Sequence, residues 1–289
     1  SGGATAYSGT DFALDSAVLE VGSSPSFDYE TTTSYTVYVK VADGSNTAYV
    51  EGFTISITDV NDNTPVFSAG DTASPSVEEG ATTVATYAAT DADGTSAHNT
   101  VTYTNTGGAD TALFDVASST GALTFSTAPD YDSGTACAAG NSCVVILTAT
   151  SGSLTDTITV TVAITNANDN SPTDMALSAA SAAENAAAGA DIGTLSTTDG
   201  DASGNSHVYT LVTDSGGATA YSGTDFAIDS AVLEVGSSPS FDFETTTSYT
   251  VYVKVADGSN TAYVEGFTIS ITNANDNSPT DMALSAASA

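Results

Sequence analysis

The chain has 289 residues and a formal charge of −33, from 35 acidic residues set against Lys40, Lys254 and two histidines. So little positive charge excludes a nucleic-acid binder, which needs Lys and Arg to neutralise phosphate, and argues against binding to an anionic membrane surface. The charge does not indicate disorder, because 40% of the residues are hydrophobic and fall in alternating runs.

Along the chain, residues 1–62 return as 215–276 at an offset of 214, with four differences: Leu14/Ile228, Tyr29/Phe243, Asp59/Asn273 and Val60/Ala274. The polar segment DVNDNTP (59–65) returns as NANDNSP at 166 and again at 273, which spaces Asp62, Asp169 and Asp276 by 107 residues each. Such a period defines a repeat architecture. The expected organisation is a partial repeat at 1–63 lacking its first strands, complete repeats at 64–170 and 171–277, and the first strand of another at 278–289, where DMALSAASA duplicates 174–182. The start at Ser1 falls inside a repeat, so the true start is expected to lie upstream, and no signal peptide is visible. No apolar run is long enough to cross a membrane, and no Asn-x-Ser/Thr glycosylation acceptor occurs.

Each complete repeat reads as all-β. SPSVEEGATT (74–83) and its alanine-rich counterpart AASAAENAAAG (179–189) read as a first strand and a turn, not as helix. TSYTVYVKVAD (247–257) sets Tyr249, Val251, Val253 and Val255 on one face; VEGFTISIT (264–272) points Phe267, Ile269 and Ile271 inward. This period-two pattern is that of half-buried antiparallel strands. Turn residues punctuate the runs every 8–12 residues, predicting about seven strands per repeat and a Greek-key, immunoglobulin-like β-sandwich. Cys137 and Cys143, in CAAGNSC, fit a small disulfide and an oxidising compartment, with a pair of free thiols as the alternative. A C-x5-C pair without further Cys or a nearby His is not a zinc site.

Acidic motifs recur in fixed order. A Glu follows the first strand (Glu79, Glu184), then a D-x-D pair (Asp91 and Asp93; Asp199 and Asp201). A second acidic pair precedes a late strand (Asp28 and Glu30; Asp130 and Asp132; Asp242 and Glu244), and a lone Asp ends a strand (Asp43, Asp257) before the linker closes the unit. Carboxylates clustered without basic partners repel one another unless a cation lies between them. One such motif alone is more often a turn or a solvated face; recurrence in order points to metal. DGDASG (199–204) begins like an EF-hand loop, but Thr210 stands where the bidentate Glu is needed. His98 and His207 read as loop residues. No nucleophile–base arrangement recurs, so the chain is not expected to be an enzyme.

Over its whole length the ordered set resembles the cadherin repeat, in particular the cadherin-like arrays of large microbial surface proteins. The resemblance implies sandwiches joined end to end as a linear rod, with about two to three Ca2+ ions bound at each junction between repeats by many shared oxygens. Carried over residue by residue, the first junction takes Asp28, Glu30, Asp59, Asn61, Asp62, Asn63, Asp91, Asp93 and a carbonyl near Asn99; Ser151 stands where the lone Asp is expected. The second takes Glu79, Asp130, Asp132, Asn166, Asn168, Asp169, Asn170, Asp199, Asp201, Asp257 and the carbonyl of Asn205. The third takes Glu184, Asp242, Glu244, Asn273, Asn275, Asp276 and Asn277. The implied function is a calcium-rigidified extracellular stalk or adhesin segment for adhesion or projection, at the cell surface. The rival reading is the body of a secreted filament. Its partners would be further repeats of the same chain and homophilic or filament neighbours. The absence of Trp removes the tryptophan-exchange adhesion of classical vertebrate cadherins.

Overall fold

The computed structural model describes residues 7–201 and 206–282. They fall into two compact units, 1–165 and 166–289. The expected strand at 278–289 falls mainly on 283–289, outside the described residues.

In the second unit the strand-forming runs build two four-stranded sheets. One orders Asp174–Leu177, Asp191–Thr198, Val232–Val235 and Phe226–Asp229; the other orders Ser181–Ala183, Tyr263–Thr272, Ser248–Ala256 and Val208–Val212. The first strand is broken between Leu177 and Ser181. Its first half pairs antiparallel with Asp191–Thr198, and its second half pairs parallel with Tyr263–Thr272. That switch completes the seven-stranded Greek-key sandwich. The alanine-rich segment is a strand followed by a turn, as its pattern predicts; Asn185 takes φ +63° there, and Gly80 takes φ +77° at the matching place in the preceding repeat. Asn and Gly are among the residues that enter this left-handed region most readily.

The alternating strands bury the predicted faces. Val251, Val253 and Val255 meet Ile269 and Ile271 in a core completed by Leu233, Val235, Leu195 and Phe226, with Tyr249 and Phe267 packed against its edge. Phe226, Phe241 and Tyr249 form an aromatic triad with ring centroids 5.3–5.8 Å apart, a spacing at which tilted and edge-on rings attract.

The first unit contains a similar sandwich at 66–165. Ser142–Ser151 lies between Thr102–Gly107 and Leu154–Thr165, and Thr72–Ala73 and Ser76–Glu78 add in parallel to the latter. The facing strands are Phe114–Val116, Ala122–Phe125 and Thr83–Thr86. Leu123, Leu147, Val145, Ile158, Val160 and Val162 fill the core. Cys137 and Cys143 are joined as a disulfide with Cα atoms 5.0 Å apart. Their loop closes over Asp110, a buried carboxylate that accepts the amide hydrogens of Ala138 at 2.6 Å and Val144 at 2.8 Å. These two bonds account for the burial of a charge that would otherwise be costly.

The same unit also holds two hairpins, Phe12–Asp15 with Val18–Val21 and Ser34–Val41 with Tyr49–Ser56. They keep the registers and the aromatic triad of their copies at 226–271; here the triad is Phe12, Phe27 and Tyr35. Leu19 is half-buried where its counterpart Leu233 is fully buried.

Leu233→Ala should cost about 2–5 kcal/mol in chemical denaturation, as buried Leu truncations do; an unchanged denaturation midpoint would contradict its burial. Replacing both cysteines by Ala should cost about 2 kcal/mol, the loop-entropy value for so short a ring, measured as a lowered denaturation midpoint.

Candidate metal centre

Both complete sandwiches carry acids at each end because strand ends and the loops leaving them gather there. In the first unit, Glu30 lies in the turn before Ser34–Val41, Asp59 follows Tyr49–Ser56, and Asp91 and Asp93 follow Ala89–Thr90. Carboxylate oxygens of Glu30, Asp59 and Asp93 lie within 4.8 Å of one another. Asp93 is only 2% exposed. Its Oδ1 accepts the backbone amide of Asn63 at 3.2 Å and the side-chain amide of Asn63 at 2.9 Å, and its own N–H donates to Asp91 Oδ1 at 3.0 Å. Burial pushes the Asp93 carboxyl up, but the donors of Asn63 and Asp62 outweigh it, leaving the group below the usual range. The Thr95 hydroxyl donates to Asp59 Oδ2 at 2.5 Å and draws that carboxyl down, helped by His98, whose Nδ1 lies 3.2 Å away. Gly94 N–H donates to Glu30 Oε1 at 3.1 Å.

These bonds use one side of each group and leave the other side bare. Asp59 Oδ1, Asn61 Oδ1, Asp91 Oδ2 and Asp93 Oδ2 are all buried and accept no hydrogen bond from the protein. Buried acceptors of this kind are costly, and all four are hard oxygens on the linker and the D-x-D loop beside the Glu30, Asp59 and Asp93 cluster. Among the described residues every ion pair involves His98 or His207, so no Lys neutralises them. The residues therefore fit a hard cation that takes oxygen ligands.

The remaining expected residues here are placed less centrally. Asp28 is exposed and caps its own turn through Thr31, whose hydroxyl donates at 2.7 Å. Asp62 is exposed and takes an Asn63 side-chain hydrogen at 3.2 Å. Asn99 donates its side-chain amide to the Asp93 carbonyl at 2.9 Å. Ser151, standing for the lone Asp, is buried; its hydroxyl donates to the His98 carbonyl, and its own carbonyl accepts Asn61 Nδ2 at 3.1 Å. Gly152 (φ +57°) lets Asn61 approach, since a Cβ there would stand 2.1 Å from that nitrogen.

At the other end of this unit, Glu79, Asp130 and Asp132 form a second cluster. Glu79 is buried and accepts the Tyr131 amide at 2.6 Å. The second unit builds the same device, with Glu184 accepting the Phe243 amide at 2.8 Å beside Asp242 and Glu244. Asn273 donates to Glu244 at 3.0 Å and Asn185 to Asp276 at 2.5 Å, while Asn275 and Asn277 are exposed.

Also in the second unit, Asp199, Asp201 and Asp257 cluster, with Asp201 and Asp257 buried. Asp201 Oδ1 accepts the amides of Asp169 and Asn170, both at 3.2 Å. The Asn168 side chain donates to the Asp257 carbonyl at 3.2 Å, and Asn166 turns its amide to the Ala167 carbonyl at 2.5 Å. His207 Nε2 lies 3.0 Å from Asp199. Asn205 lies outside the described residues. Asn260, which the sequence did not single out, donates into this cluster and draws the Asp257 carboxyl down through its backbone and side-chain amides. Thr95 was likewise not singled out, and His98 and His207 read only as loop residues; the one signal of all three is position just after a D-x-D pair.

No protein-family model matches the chain. It is 32% identical over 261 residues to human Protocadherin-1, an alignment covering 87% of this chain and 24% of that protein. The chain thus spans about a quarter of the length of the curated relative it matches. Among solved structures, the mouse clustered protocadherin PcdhgC3 EC1-3 superposes with a TM-score of 0.67 at 22% identity, over 94% of this chain and 88% of that one. Human CDH23 EC21-23 superposes with a TM-score of 0.59 at 24% identity, over 91% and 81%. The chain has a cadherin-like fold and is homologous to protocadherin-1.

Proposed function

We propose that the chain is a calcium-rigidified extracellular stalk or adhesin segment, made of repeats bounded at 1–63, 64–170 and 171–277 with another opening at 278–289. The observation that carries this reading is the set of four buried, unpartnered oxygens on Asp59, Asn61, Asp91 and Asp93, in a chain with almost no basic residues. About two to three Ca2+ ions per junction would use such oxygens. The residues of the chain do the rest. Glu79 is held by the Tyr131 amide and Glu184 by the amides of Phe243 and Ala274, so both carboxylates are ordered in advance. Asn63 and Asn170 fasten the linkers to Asp93 and Asp201. A bound cation would convert mutual repulsion into shared ligation and stabilise the fold by mass action.

The disulfide and the protocadherin relative support an extracellular location. The near identity of 1–62 and 215–276 supports a spacer whose length matters more than its surface. Homophilic contact with other copies is the expected partner mode for an adhesin of this fold.

Thermal unfolding and small-angle scattering in millimolar calcium, then in excess chelator, test the reading. Chelation should lower the midpoint and turn a stiff profile into a flexible one; no change in either would refute it. Asp93→Asn should weaken calcium binding about tenfold or more, since ligand charge sets affinity, while the chelated protein melts close to wild type. Unchanged affinity in calorimetric titration would remove Asp93 from the site.

A further inference from the structure

In the second unit, one amide nitrogen has too many acceptors. Asn260 Nδ2 lies 2.7 Å from Asn168 Oδ1, 2.8 Å from the Asn170 carbonyl, 3.0 Å from Asp257 Oδ2 and 3.2 Å from the Asn168 carbonyl. An amide has two hydrogens, so it cannot serve four oxygens at once. Four oxygens converging on one point, one of them a carboxylate, are the surroundings of a cation.

The turn that aims this amide is built into the local sequence. Asp257 Oδ1 accepts the backbone amides of Ser259 at 2.9 Å and Asn260 at 2.8 Å. The identical turn at Asp43 repeats both distances for Ser45 and Asn46, and there Asn46 Nδ2 also reaches the carboxylate, at 2.7 Å. The side-chain amide is thus aimed at the carboxylate by its own turn, and at Asn260 the linker oxygens of Asn168 and Asn170 also come within its reach. In the 66–165 sandwich the corresponding stretch is SGSL, and Leu154 stands in place of the amide.

We propose that Asn260 is a plug: its side-chain amide fills the calcium position between Asn168, Asn170 and Asp257 when the ion is absent and must swing out when it binds. This rests on the calcium reading above. Calcium binds oxygens at about 2.3–2.6 Å, so an ion touching these four oxygens and the nitrogen already among them exclude each other. The plug has two consequences. It pins the linker to the Asp257 turn without metal, and it competes with metal, so this site fills at higher calcium than the same oxygens would without it. Displacing the net worth of about one ordinary hydrogen bond predicts an affinity loss of about three- to tenfold.

The test uses the whole chain, stripped with chelator and titrated with calcium chloride. The Asn260 side-chain amide resonances are identified as the pair missing from the Asn260→Ala spectrum, and calorimetry follows the affinity of both proteins. The expected result is that calcium moves that pair to solvent-exposed shifts, and that Asn260→Ala and Asn260→Leu bind calcium about three- to tenfold more tightly. Calcium uptake with the Asn260 pair unmoved, or with affinity unchanged in the variants, overturns the plug and leaves the calcium site standing. Weaker binding by Asn260→Ala also overturns it, making the side chain a ligand. No heat of binding in any protein overturns the calcium reading and the plug together.

Discussion

The constraint on which the molecule turns is charge without counter-charge. Thirty-five acids face two lysines, and the fold does not spread them evenly. It buries Asp93, Asp201, Asp257, Glu79 and Glu184 at the ends of its sandwiches. A buried carboxylate is stable only when hydrogen-bonded or paired. The chain hydrogen-bonds each of these groups with backbone or Asn amides. For Asp93 those donors still leave Oδ2 bare. A core built for stability alone would have no reason to leave it so.

The repeats let one sequence be seen in two settings. The hairpins at 12–56 and their copies at 226–272 share registers and an aromatic triad, so those features are local and do not depend on which strands complete the sheet.

Much of this was legible in the sequence. Val251, Val253 and Val255 alternate so regularly that their inward face could be read directly, and the Asn185 turn could be told from a helix because its counterpart has no helical character. The early Glu residues were found by their order of recurrence. What the sequence hid were contacts made across long separations. Asn260 meets Asn168 some 92 positions away, and Asp59 meets Thr95 and His98 across 36 and 39. Nothing in SGSN or TSAH marks these side chains, because their partners exist only once two strand ends meet. Asp110 was passed over for the same reason: its acceptors serve a loop that the disulfide brings back over it.

The two linker-facing turns also differ in a way that bears on the proposed calcium sites. At 151–154 the chain has Ser, Gly, Ser and Leu, so the site has neither the lone carboxylate nor the amide. At 257–260 it has both. Losing the carboxylate lowers attraction for a divalent cation; losing the amide removes its competitor. On the proposed reading the two changes act in opposite directions on cation binding, so the SGSL stretch lacks both the attraction and its competitor.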